Sequence, residues 1–154
     1  MKTPVKFAIA AVLALPMVAL GGMVAAGITP LALGMHDTVH TDTAGVAFGG
    51  YDVVASHADQ HVLGDLQHSA DHAGATWQFS TPENLATFQA DPARYAPACG
   101  GYCAFAATKG FAAPGEPETS TVHAGTLYVF ADSDVQAMAM ADPAALEQSC
   151  ASFD

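Results

Sequence analysis

Residues 74–97 read GATWQFSTPENLATFQADPARYAP, and this stretch decides the fold class. From Ala75 to Ser80 apolar and polar residues alternate, which predicts a half-buried strand with Trp77 and Phe79 on one face. Ser80 or Thr81 then supplies a helix N-cap, Pro82 suits the first turn, and Glu83 favours its positive end. Leu85, Phe88 and Gln89 continue the helical spacing until Asp91-Pro92 breaks or restarts it. A strand that passes directly into a helix indicates mixed secondary structure.

Working outward, VAFGGYDVV (46–54) predicts a short strand, a turn at Gly49-Gly50 and a new start at Tyr51. GYCAFAATKG (101–110) fits either a short helix or a buried strand ending at Gly110. TVHAGTLYVF (121–130) predicts a hairpin turning at Ala124-Gly125. The last stretch has helical spacing, a cap at Ser133 or Asp134, and an interruption at Pro143. The expected architecture is α+β: a small single domain of short antiparallel strands with two or three helices. No internal repeat is apparent.

Lys2 and Lys6 precede a nearly unbroken apolar run from Phe7 to Gly34, with small residues at Val24-Ala25-Ala26. Residues 1–26 therefore read as a signal peptide or an N-terminal membrane anchor, 27–43 as a linker, and 44–154 as the folded domain. The expected location is periplasmic or extracellular, with residues 7–34 as the alternative inner-membrane anchor. The chain holds 15 acidic and 4 basic residues, a formal net charge of −11. Past the leader only Arg94 and Lys109 are basic, which excludes nucleic acid as a partner and leaves a cation or a basic protein as the electrostatically favoured ones.

GGYDVVAS, GATWQFSTPENLATFQADPARYAP and GGYCAFAATKG together resemble the exported YHS-domain proteins, over about residues 44–130. That resemblance implies a YHS-like fold, in a wider treble-clef-like group associated with heavy-metal sensing, transport and trafficking. Where the metal-associated versions carry thiolates, this chain has Ala55, Ser80 and Asn84, which are poor ligands for a soft metal. The exported subgroup keeps Cys103, whereas Cys99 is an addition of this chain.

Cys99, Cys103 and Cys150 leave several states open: a 99–103, 103–150 or 99–150 disulfide, or free or metal-bound thiols. Six of the seven histidines form pairs spaced by four: His36/His40, His57/His61 and His68/His72. A mixed site drawing on Cys103, Cys99, His57 and His61 would suit copper or zinc. Tyr51, Asp52, Tyr95 and Tyr102 match positions of the resembled family and are candidates to line a pocket. HExxH, CxxC, CxxCH, a phosphate loop, a nucleophile elbow and a dinucleotide fingerprint are all missing, so a non-enzymatic role is expected. The leading reading is an exported module that binds a metal ion or small ligand. The alternative is a structural or protein-interaction module with disulfide-bonded or core cysteines.

Overall fold

A computed structural model describes residues 21–151 and 153. Residues 1–20 of the expected signal peptide, which include residues 7–20 of the expected anchor, lie outside the described residues. In chain order the elements are β1 (Thr29–Pro30), α1 (Val53–Ser56), β2 (Asp65–His72), β3 (Ala75–Phe79), α2 (Pro82–Ala90), α3 (Pro92–Tyr95), α4 (Ala104–Thr108), β4 (Phe111–Ala112), β5 (Glu116–His123), β6 (Thr126–Phe130), α5 (Ser133–Ala139) and α6 (Pro143–Cys150). The strands form three antiparallel pairs, β1 with β4, β2 with β3, and β5 with β6. The α+β class expected from the sequence is the class observed.

Local chemistry accounts for most boundaries. Thr81 caps α2 through its hydroxyl, which accepts from Asn84 N–H, and Pro82 sits where no N–H is needed. Asp91 ends α2 and caps α3, so the Asp-Pro pair restarts the helix. Asp132, not Ser133 or Asp134, caps α5, because its carboxylate accepts from Val135 N–H. The ambiguous 101–110 stretch resolves into helix α4, closed by Gly110 at φ 82°.

The expectation that the chain has no internal repeat is corrected by the fold. The order of α1, hairpin β2–β3, α2 and α3 recurs as α4, hairpin β5–β6, α5 and α6, with the short strand β4 added between α4 and β5. Each residue of the second half lies 51 positions after its counterpart, the same interval that separates Cys99 from Cys150. At this offset Ala47-Phe48-Gly49-Gly50-Tyr51 aligns with Ala98-Cys99-Gly100-Gly101-Tyr102, and His72-Ala73-Gly74 with His123-Ala124-Gly125. Phe79 aligns with Phe130, and Ala90-Asp91-Pro92-Ala93 with Ala141-Asp142-Pro143-Ala144. A fixed period of this kind is the signature of a repeated structural unit.

The backbone repeats as well. Phe48, Gly49 and Gly50 have φ of 52°, 57° and 76°, and Cys99, Gly100 and Gly101 have 54°, 60° and 84°. Side-chain-bearing residues avoid this left-handed region, at a cost of roughly 1–2 kcal/mol, so Phe48 and Cys99 are held there by their surroundings. Ser69 Oγ donates to Leu66 O, and its counterpart Ser120 Oγ donates to Pro117 O. Both hairpins pair in the same register next to the turn, His72 with Ala75 and His123 with Thr126.

Each repeat has its own core. Val53, Trp77, Phe79 and Phe88 centre the first, which also takes in Leu127 and Val129 from the second repeat. Tyr128, Phe130, Ala104 and Leu146 centre the second. The two units are therefore fused through β6.

Residues 27–43, expected to be a linker, pack against the second repeat. Thr29 and Pro30 pair with Ala112 and Phe111, Leu31 packs on the second core, and Val39 is buried in the first. At Gly100 a Cβ would come within 2.0 Å of Thr38 O, so this segment closes directly over the second glycine turn. A short apolar stretch next to an edge is covered more favourably by the fold than by water. Among the described residues no helix is long and apolar enough to cross a membrane.

Candidate functional site

A cleft of about 570 Å³ lies where the two repeats meet. Three repeat-equivalent pairs are among its lining residues: Trp77 and Tyr128, Ala96 and Glu147, Cys99 and Cys150. Trp77 is fixed by the first core and by its indole N–H, which donates to His72 O at 3.1 Å. Tyr128 is held on β6, the strand the two cores share. Burial raises its pKa, the nearby Glu147 charge adds to the effect, and a hydrogen bond with Thr126 opposes it. The lining combines aromatic and small apolar residues with polar ones, Thr38, His72, Thr126 and the carboxylate of Glu147. A concavity that pairs apolar surface with a few placed polar groups is the usual form of a small-ligand site.

Cys99 and Cys150 are joined in a disulfide that forms part of this cleft. Of the cysteine states left open by the sequence, the 99–150 pairing is the one observed, with Cys103 free and buried. The bridge joins the same position of two successive periods, and so ties the end of the second repeat back to its start. Cys99 is therefore not available as a metal ligand while the bridge is intact.

The other expected metal ligands lie apart. His57 is stacked edge-on against Tyr95 at 5.1 Å. Burial lowers its pKa, a hydrogen bond to the Tyr95 backbone opposes this, and the Arg94 charge lowers it further. His57 Nε2 is buried without a hydrogen-bond partner among the described residues. His61 sits between Asp59, at 3.7 Å, and Ser120 Oγ, at 3.5 Å. Cys103 is enclosed beside β6, its N–H donating to Ala113 O. Among the described residues no three His, Cys, Asp or Glu side chains are grouped to hold a metal ion.

None of the four expected pocket residues lines the junction cleft. Tyr51 is half-buried against the first core, its hydroxyl donating to Glu118, and this bond is the main cause of its raised pKa. Tyr95 packs on the first core beside His57. Tyr102 is buried among His36, His40 and Phe153.

Asp52 is fully buried. Its Oδ1 accepts from Val54 N–H at 2.9 Å and Ala55 N–H at 3.0 Å, which caps α1. Its Oδ2 accepts from Ser80 N–H at 2.7 Å, Ser80 Oγ at 2.6 Å and Asn84 Nδ2 at 2.7 Å. Burial alone would raise its pKa, but the bonds from Asn84 and Ser80 and the capping bond from Ala55 outweigh it and the pKa is lowered. Asp52 thus ties α1, the end of β3 and α2 together. The repeat counterpart of Asp52 is Cys103, with Ala131 and Val135 at the counterparts of Ser80 and Asn84. One repeat uses a polar hub and the other an apolar contact at the same place in the fold.

The cleft was not legible in the sequence, where Trp77 reads as one face of a half-buried strand and Tyr128 only as part of a hairpin. Their equivalence at the 51-residue interval was the available signal. Comparison with known proteins finds no matching family model, no matching curated protein and no matching solved structure.

Proposed function

We propose that this chain is an exported, non-enzymatic binding module that holds a small ligand in the cleft between its two repeats. The carrying observation is that cleft, about 570 Å³ in volume and walled by Trp77, Tyr128 and the Cys99–Cys150 bridge. A disulfide suits an oxidising compartment, which supports export, as does the charged and apolar leader. The resemblance to exported YHS domains belongs to the same reading. Of the two ligand classes expected from the sequence, a small organic molecule is favoured over copper or zinc, since Cys99 is bonded to Cys150 and the other candidates are dispersed. With Glu147 lining the cleft and a net charge of −11, neutral or cationic aromatic compounds are the favoured chemistry.

Trp77 is the chain's single tryptophan, so its emission reports cleft occupancy directly. Titration with a panel of small neutral and cationic aromatic compounds should give a saturable change in that emission. Ala151→Phe, at an exposed residue of the cleft, should abolish the change while leaving the melting temperature within a few degrees. No saturable change with any compound, or an identical titration in Ala151→Phe, contradicts the proposal.

The alternative reading, an interaction module with a structural disulfide, draws on the Cys99–Cys150 bridge and the buried Cys103. It is favoured if the cleft stays empty and a basic protein is retained at low salt.

A further inference from the structure

We propose that the edge of the first repeat at Asp59–Leu63 is a docking strand for an extended, proline-containing apolar segment of a partner protein. In the second repeat the equivalent edge is covered by the chain's own N-terminal segment. Thr29 and Pro30 pair antiparallel with Ala112 and Phe111, Leu31 N–H donates to Gly110 O at 2.9 Å, and Gly27 lies against Pro114. Moved back by the 51-residue period, those acceptor positions become Asp59, Gln60, His61 and Leu63.

The backbone there is prepared in the same way. Asp59 and Gly110 both have positive φ, 59° and 82°. Asp59 N–H donates to Ser56 O as Gly110 N–H does to Ala107 O, and Asp52 N–H donates to Val62 O as Cys103 N–H does to Ala113 O. What differs is the cover. Among the described residues no strand pairs with Gln60–His61, and neither Asp59 O nor His61 N–H takes part in a backbone hydrogen bond. Leu63 and Leu66 are the two most exposed large apolar residues described, at 64% and 68%, with Val62 beside them at 40%. Pro114 and Pro117, their counterparts, are partly buried and buried.

An open edge flanked by exposed apolar side chains is the arrangement that strand addition uses. The second repeat shows which segment chemistry fits it: extended, apolar, with proline where no ladder N–H is required. Asp59 and Asp65 are exposed on either side, so the segment should carry a basic residue and no acid.

The probe is a synthetic peptide with the sequence of residues 27–33 followed by two lysines, added to the full 15N-labelled chain. Saturable shifts of the His61, Val62 and Leu63 amides are expected. Leu63→Asp, at an exposed position, should weaken binding at least about tenfold, a loss of about 1.4 kcal/mol, with its other amide signals unchanged. The proposal is overturned if no saturable shifts appear, if Leu63→Asp binds as well as the parent, or if a peptide of the same composition in scrambled order binds equally. Shifts confined to Phe111 and Ala112 would also overturn it, since they report exchange with the chain's own segment.

Discussion

Replacing Asp52 with Asn tests how the first repeat is held together. The substitution keeps shape and one carbonyl oxygen, but it removes the charge and turns one acceptor into a donor. Turned toward α1, the new amide NH2 would oppose two fixed donors, Val54 and Ala55 N–H. Turned the other way, it meets Ser80 and Asn84. The Ser80 hydroxyl can rotate and the Asn84 amide can flip, so only Ser80 N–H is left without an acceptor. One orphaned buried donor costs about 1–3 kcal/mol, and loss of charge assistance in the two capping bonds adds roughly 1 kcal/mol. Asp52→Asn should therefore destabilise by about 2–4 kcal/mol. Asp52→Ala also loses the cap, worth about 1 kcal/mol, and should cost about 4–5 kcal/mol.

Urea unfolding followed by Trp77 emission measures both variants, because Trp77 lies in the core that Asp52 supports. The pH dependence has a definite sign. The folded-state pKa of Asp52 is lowered, so its contribution is present above the unfolded value of about 3.9 and is lost as pH falls through the folded value. The parent should lose stability below about pH 4, and Asp52→Asn should lose less over the same range. A penalty under about 1 kcal/mol for Asp52→Asn, with an unchanged acid limb, would refute the reasoning.

Three further outcomes are expected. Thiol titration of the unfolded, unreduced protein should find one reactive group, Cys103, and three after reduction. Replacing Cys99 and Cys150 together by Ala should cost about 3–4 kcal/mol at 25 °C, since the bridge closes a span of 51 residues; a cost under about 1 kcal/mol in urea unfolding contradicts that. Gly100→Ala should destabilise by more than about 2 kcal/mol, because the new Cβ would sit 2.0 Å from Thr38 O at a φ of +60°, while Gly74→Ala, with open space around it, should cost only the left-handed penalty of about 1 kcal/mol.

Features governed by neighbouring residues were legible in the sequence. The Ala75–Phe79 strand, the Thr81 cap, the Asp91-Pro92 restart and the Ala124-Gly125 turn all follow from chemistry within a few positions. Strand β2 was not, because DLQHSADH is polar and largely solvent-facing, so it lacks the alternation that marks a buried face. The repeat was hidden for a related reason. Most of its identical residues are turn formers and punctuation, and apart from Phe79 and Phe130 the large side chains that fill the two cores diverge: Phe88 against Ala139, Asp52 against Cys103, Trp77 against Tyr128. The disulfide depends on how the second repeat closes on itself, which no local signal carries. Asp52 stood out in the sequence, but its partners Ser80 and Asn84 lie about thirty positions away, so the buried tie it makes between elements was not legible.

The cleft between the repeats is tested most directly by amide chemical-shift mapping with a compound that alters Trp77 emission. Shifts are expected at lining positions contributed by both repeats, Trp77 and Ala96 from the first and Tyr128 and Glu147 from the second. Shifts limited to one repeat, away from the Cys99–Cys150 bridge, would contradict this.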